Sequence, residues 1–441
     1  MSFILALPLF TAFPHYSCQW EEGGEWQECS RWDFCETDTK WRIDWENPES
    51  MHNMIIDMDL HCASNLQVGM ISSLFFGSFV VGSIAFADFG DRFGRMKSFR
   101  YLFPLVLLGT FIATIAPNVW FLYLGFTLIG LGSQVRAQIS FIYTVEIIVD
   151  RYVAQVTYIQ YTLLTICRII MILCVWFLTN YWRTYYWIML GSSFLIWLPS
   201  FVFPESPKQL FATKRYDEFE QSLRTIFRVN KYLDKSLDRD ALDAEIKSLK
   251  DSSMYEDNQS QVKDDIYQNF YEAAKKDTSI RNNTLILFAT WFLIDFGYTV
   301  ACFMTKSLNG NIFENYLFAE IADIAASVIS SRVYDTYGLK KTLSISCLSS
   351  AIFGLVFLTI YDIAFFVPFL LFLMNVGVCS SYVTIFVANQ QILPREFISI
   401  IMSACFVLGR VGSTFGPIVG EIAMPIPLLA FIVSNLIPGI A

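Results

Sequence analysis

Charge is what this 441-residue sequence has least of. Only 16% of its residues are Asp, Glu, Lys or Arg, against about 25% in a soluble globular domain, while 54% are hydrophobic and mean hydropathy is +0.45. A chain so poor in charge cannot clothe a water-facing surface of its size. Its 31 basic and 40 acidic residues form no basic patch, which argues against a nucleic-acid partner. Histidine is scarcer still. His15, His52 and His61 are all there are, and their spacing matches no zinc pattern, so no metal or other cofactor is expected. No histidine falls in an apolar run, and no phosphate-binding glycine loop or Ser/His/Asp set is present, so an enzyme is not expected. The opening MSFILALPLFTAF lacks a basic leader and a small-residue cleavage site, and is not read as a signal peptide.

What the sequence has instead is long apolar runs. From Cys62 to Ala87, 26 residues pass without a charge, more than the roughly 20 needed to cross a bilayer. Such runs recur at 1–14, 64–87, 99–116, 119–145, 152–179, 184–203, 284–305, 313–333, 342–360, 363–388, 399–421 and 426–441. That makes about twelve spans, the first and last short, and an all-α membrane protein is expected. Arg92, Arg95, Lys97 and Arg100 follow span two, and Arg332, Lys340 and Lys341 follow span eight, whereas the opposite turn at 116–120 has no base. The preference of Lys and Arg for the cytoplasmic face then puts residues 15–63 outside and 204–283 inside.

The outer segment carries twelve acids against three bases, and four cysteines. Cys18, Cys29, Cys35 and Cys62 on an oxidising side allow two disulfides in any of three pairings. The inner segment opens with PESPKQL. Over 217–229 its residues Phe219, Leu223, Ile226 and Phe227 recur at three- and four-residue steps, the pattern of an amphipathic surface helix. The stretch KDSSMYEDNQSQVKDD beyond it reads as linker. A linker near the middle of twelve spans divides the chain into an N-terminal six-helix bundle (1–203), a central loop (204–283) and a C-terminal six-helix bundle (284–441).

The two basic turns repeat one another. Asp91-Arg92-Phe93-Gly94-Arg95-Met96-Lys97 and Asp335-Thr336-Tyr337-Gly338-Leu339-Lys340-Lys341 each set Gly three residues after Asp and then two bases, between the second and third spans of their halves. Gly permits a tight turn and Asp can cap the next helix. Two halves related in this way are the pattern of a carrier that rocks about a central site.

DRFGR after span two, with its repeat, resembles the signature turn of the major facilitator superfamily. PESPKQL is similar to the Pro-Glu-Ser-Pro-Arg-Trp-Leu motif of sugar porters and organic-ion transporters. MIIDMDLHCASN is similar to the Glu-Trp-Asp-Leu-Val-Cys segment of the organic cation, anion and zwitterion (carnitine) transporters. LNGNIFENYLFAEIADI resembles that family's Gly-Gly-Asn-Ile-Tyr passage, and YWRTYYW and LGRVGSTFGP fit its spans six and eleven. The resemblance covers essentially the whole chain. It implies two pseudo-symmetric six-helix bundles in the plasma membrane, moving a small organic ion by alternating access as a monomer in the lipid bilayer. There are departures. Ala87 replaces the Gly that opens the turn, Phe126 an Arg early in span four, Gln391 the Glu before LPR, and Ile398 a downstream Arg. Met1 falls within span one, and no Pro-Glu-Thr motif follows span twelve. These leave a non-transporting receptor or scaffold on the carrier fold as one alternative, and PESPK with YWR leaves a sugar porter as another.

A charge at the bilayer centre costs at least about 2.5–3.5 kcal/mol on insertion scales, so it should face the bundle interior. The spans hold Arg136, Arg168, Asp295, Glu320, Asp323 and Arg410, with Glu146 and Glu421 nearer helix ends. Glu320 and Asp323 share a helix face. They either pair with Arg136, Arg168 or Arg410, or they serve a ligand or a proton. In the resembling family, cation carriers have Asp where Arg410 stands, and anion or carnitine carriers have Arg. The resemblance thus implies organic anions or zwitterions, received on the guanidinium, whereas the acidic outer segment points to organic cations. The candidate substrate residues are Arg410, Asp295, Glu320, Asp323, Gln138 and Tyr298, the last because the family's span seven lines the cavity with a tyrosine. The candidate gating residues are Asp91, Arg92, Gly94, Arg95, Glu146, Arg151, Glu205, Asp335, Gly338 and Lys340. The two turns are expected to lock the cytoplasmic ends together when the outer side is open, with Glu146 and Arg151 joining them.

Overall fold

The structure, a computed structural model, describes residues 7–21, 24–37, 39–86, 89–134, 138–149, 152–179, 181–233, 239–255, 270–360, 363–392 and 398–440. Arg136, Arg151 and Ala87 lie outside these, as do the side chains of Gln391 and Ile398.

The apolar runs fold as helices because a chain without water must satisfy its backbone within each segment. In order they are α1 (Leu7–Phe10), α2 (Asn65–Ala85), α3 (Arg95–Thr114), α4 (Val119–Gln134, continued by Ser140–Ile147), α5 (Val153–Phe177) and α6 (Trp182–Trp197). The second set is α7 (Thr278–Met304), α8 (Ile312–Tyr337), α9 (Leu339–Ile360), α10 (Val367–Ile392), α11 (Ile398–Gly420) and α12 (Ile426–Ile440). Among the described residues, six helices are by length and composition alone long and apolar enough to cross a membrane, those of α2, α3, α7, α9, α10 and α11. Helix α8 is long but carries Glu314, Glu320 and Asp323, so hydropathy passes it over. Local chemistry sets several starts. Ser64 and Gln67 close a reciprocal capping box at α2, and Asn311 Oδ1 accepts from the amides of Phe313 (2.9 Å) and Glu314 (3.2 Å) at α8.

Between α6 and α7, short helices cover Pro207–Ala212, Tyr216–Leu233 and Arg239–Tyr255. The last continues through 250–255, so the stretch expected to be linker from residue 250 is helical at its start.

All β-strands among the described residues lie in the segment between α1 and α2. Strand β1 (Tyr16–Gln19) pairs antiparallel with β2 (Gln27–Cys29) and β3 (Lys40–Ile43). Disulfides join Cys18 to Cys29, across β1 and β2, and Cys35 to Cys62, beside the start of α2. Asp57 fastens this segment to the helices. Its Oδ2 accepts from Trp182 Nε1 (2.9 Å) and Arg183 Nε (2.9 Å), and Arg183 also donates to the carbonyls of Thr114 and Ala116 at the end of α3 (3.0 Å each). The motif residues of MIIDMDLHC and YWR thus meet in one clamp.

The two halves touch mainly through α2 with α11 and α5 with α8. At the end bearing the disulfides, one buried apolar cluster is shared by both halves, Leu7, Phe10, Ile71 and Trp182 packing with Phe303, Ile312, Phe313 and Tyr316. At the opposite, signature-turn end, the buried clusters are separate: Phe99, Leu102, Phe103 and Ile139 in one half, and Leu287, Trp291, Ile385 and Cys405 in the other. The bundle is therefore knit together at the disulfide end.

Candidate functional site

The charged residues of the spans gather midway along their helices in two adjoining groups. The first is built on α8, where Glu320 and Asp323 face α5 together. Arg168, 4% exposed, lies between them. Its Nε donates to Glu320 Oε2 at 2.5 Å, its Nη2 to Asp323 Oδ2, and the same Nη2 to Thr165 Oγ1 at 3.1 Å. Asp323 also accepts from Tyr298 Oη (3.4 Å) and Cys379 Sγ (2.5 Å). Beside this triad, Tyr298, Cys302, Thr305, Tyr316, Ala319, Glu320, Asp323 and Asn375 line a void of about 10 Å³, room for one water.

The second group is built on α11. Arg410 Nη1 lies 3.6 Å from Asp295 Oδ2 of α7, its Nη2 donates to Tyr382 Oη of α10 (3.2 Å), and its guanidinium sits 5.4 Å from the ring centre of Phe79 on α2. Gly409 makes room for this, since a Cβ there would lie 2.4 Å from Asp295 Oδ2. Trp291, Phe386 and Phe406 back the group, with Trp291 4.8 Å from Phe386 and 5.1 Å from Phe406. Tyr298 and Tyr382 stack at 5.9 Å and 22°, so two parallel rings stand between the groups. Within these two groups stand two guanidiniums and three carboxylates, a surplus of one carboxylate.

Of the candidate substrate residues, Arg410, Asp295, Tyr298, Glu320 and Asp323 thus come together, while Gln138 does not join them. It neighbours Ile139, which packs near Gly90 at the signature-turn end.

The first turn is drawn into a network of its own half. Arg95 Nη2 lies 2.9 Å from Asp91 Oδ1 and 3.1 Å from Glu146 Oε1. The Glu205 carboxylate caps α3, accepting from the amides of Met96 (2.8 Å) and Lys97 (3.1 Å). Gly94 has φ +110°, and a Cβ would collide with Glu205 Oε2 at 2.4 Å. Lys97 Nζ reaches Glu218 at 3.3 Å on the amphipathic helix, and Gln209 Nε2 donates to Asp91 O at 3.0 Å. Arg92 sits exposed in the same turn. Asp91, Gly94, Arg95, Glu146 and Glu205 therefore form one cluster. Asp335, Gly338 and Lys340 lie exposed on the other turn, where Gly338 (φ +75°) meets no neighbour within 4 Å of a Cβ position.

Sequence reasoning missed Tyr382 and Cys379, neutral side chains that nothing marks out in an apolar run. It also missed Lys306, a base at the end of α7 whose partner is Glu421.

The sequence profile of the Major Facilitator Superfamily matches residues 48–421. The chain is 22% identical over 383 residues to Solute carrier family 22 member 21 of Mus musculus, covering 85% of this chain and 65% of that one. It is 21% identical over 436 residues to the Carcinine transporter of Drosophila melanogaster, covering 94% and 62%. To the Organic cation transporter protein of the same fly it is 20% identical over 409 residues, covering 89% and 71%. The chain thus spans less than two thirds of the length of the first two. The inward open conformation of the xylose transporter XylE from E. coli superposes with a TM-score of 0.64 at 14% identity, covering 86% of this chain and 85% of that one, a likeness of fold.

Proposed function

Because the chain belongs to the major facilitator superfamily, we propose that it carries small organic ions across the plasma membrane by alternating access, and that its substrates are zwitterions. The observation that carries this is the pair of charged groups on either side of the Tyr298–Tyr382 stack. The Arg410 guanidinium lies 3.6 Å from Asp295 and donates to Tyr382, and a substrate carboxylate exchanged onto its two terminal nitrogens would make a bidentate, charge-assisted contact. A cationic head belongs at Glu320 and Asp323, where the surplus carboxylate lies, and the Tyr298 and Tyr316 side chains lining the same void favour a cation further. A plain anion would gain Arg410 but face that surplus.

Residues 15–63 are read as extracellular, in keeping with their two disulfides, and the turn at 91–97 as cytoplasmic. In this reading the cluster of Asp91, Arg95, Glu146 and Glu205 stiffens the cytoplasmic end of the first half so that it moves as one body.

A second reading, transport of organic cations, is favoured by the same surplus carboxylate. Uptake into cells expressing the chain separates the two, with labelled carnitine as zwitterion, one organic anion and one organic cation, each with and without Arg410→Asp. We expect carnitine uptake that falls at least tenfold in the variant. Cation uptake that survives Arg410→Asp would establish the second reading instead. No uptake of any probe by protein present at the cell surface would defeat the carrier reading altogether.

A further inference from the structure

We infer that Lys306, Glu421 and Thr11 form a latch that holds the two halves shut at the disulfide end. Lys306 lies in the turn after α7 and Glu421 at the end of α11, both in the second half, while Thr11 follows α1 in the first. The ammonium has three hydrogens to place, and each meets an acceptor: Glu421 Oε1 at 2.5 Å, Thr11 O at 2.9 Å and Thr11 Oγ1 at 3.1 Å. The side chains of Lys306 and Glu421 are only 2% and 4% exposed. Around them Phe10 and Phe303 of the shared cluster are each within 2% of full burial, and the Arg31 guanidinium lies near enough to interact with both charges. Gly69 of α2 lets that helix close on the pair, since a Cβ there would lie 3.1 Å from Ile418 Cα and 3.4 Å from Glu421 Cγ.

Two ions so dry persist only while they hold each other and their remaining acceptors. If the first half swings away at this end, Thr11 leaves and water enters, so closure and the three-way contact form and break together. The latch also guards the site. Cys302, one helical turn before Lys306, lines the void beside Glu320 and Asp323. A path opened at the latch therefore leads to the central carboxylates.

The test uses the chain as it stands and reads labelling of Cys302 by mass spectrometry, after adding a membrane-impermeant methanethiosulfonate from the disulfide side. Glu421→Gln strands a buried ammonium in the closed form, so Cys302 should label at least tenfold faster. Lys306→Met with Glu421→Leu makes the same spot dry in the closed form and greasy in the open one, so labelling should fall below the wild-type rate. Cys302→Ser identifies the labelled position. Wild-type rates in both variants, or equal acceleration in both, would overturn the latch. Should Glu421→Gln fail to reach the surface, the double variant decides alone, slower labelling supporting the latch and an unchanged rate ending it. No substrate is involved, so this outcome is independent of whether the carrier reading holds.

Discussion

His15 and His61 lie in the same disulfide-bonded segment and respond to acid in opposite senses. His15 stands between Glu49 (3.7 Å) and Glu28 (3.3 Å), and the favourable contact with these carboxylates, Glu49 first, holds its pKa above the usual 6.5. His61 is buried, tilted over Trp41 at 4.9 Å and hydrogen-bonded through Nδ1 to the Tyr16 hydroxyl at 2.9 Å. Burial lowers its pKa. By linkage, the His15 contribution is complete below about pH 6.5 and fades as pH rises through its raised value. The His61 contribution is complete above about pH 6.5 and fades as pH falls towards its lowered value. Single substitutions should unmask each slope. With His61→Phe the unfolding midpoint should decline between pH 6 and 8, and with His15→Gln it should decline from pH 7 to 5. Tryptophan fluorescence during thermal unfolding in detergent checks both, and slopes of the opposite sign would refute the assignment.

The paired turns show what is legible at the level of an element and what is not. The repeat Asp-x-x-Gly followed by bases is local, and both glycines do take positive φ, +110° at Gly94 and +75° at Gly338. The repeat does not reveal that the surroundings differ. Gly94 is roofed by the carboxylate of Glu205, more than a hundred residues downstream, whereas Gly338 stands in open space. Alanine at Gly338 therefore meets only the backbone penalty of a positive-φ conformation essentially reserved for glycine (φ +75°, ψ 177°), about 1–3 kcal/mol. Alanine at Gly94 meets that penalty and displaces the cap of α3, for about 2–4 kcal/mol together. Unfolding midpoints of the two variants should rank Gly94→Ala well below Gly338→Ala, and equal losses would show that the Glu205 cap contributes nothing. Helix identity follows the same logic. Apolar length announces α2, α7 and α10, and the run 313–333 announces α8 despite its carboxylates, whereas the start of the expected linker, 250–255, is helix.

For the whole molecule, a charge in an apolar run is legible as a cost that something must offset, and so Arg168, Asp295, Glu320, Asp323 and Arg410 could be marked from the sequence alone. Their partners could not. Periodicity puts Glu320 and Asp323 on one face, but only the crossing of α5 over α8 brings Arg168 between them from the other half. That placement makes the triad both a tie between the halves and the floor of the candidate site, and one pair of variants separates the two roles. Arg168→Ala leaves two buried carboxylates without a cation, which should cost about 3–5 kcal/mol and abolish uptake, as either role would require. Replacing all three, Arg168→Met with Glu320→Leu and Asp323→Leu, restores a dry, filled contact of similar volume, and exchanges of that kind are often neutral or stabilising. The unfolding midpoint should then return to the wild-type value or exceed it. Uptake should stay lost, because no carboxylate remains to receive the cationic head of a substrate. A triple variant that is stable and still transports would reduce the triad to a strut between α5 and α8, and the substrate's cation would then have to be received at Asp295, next to Arg410.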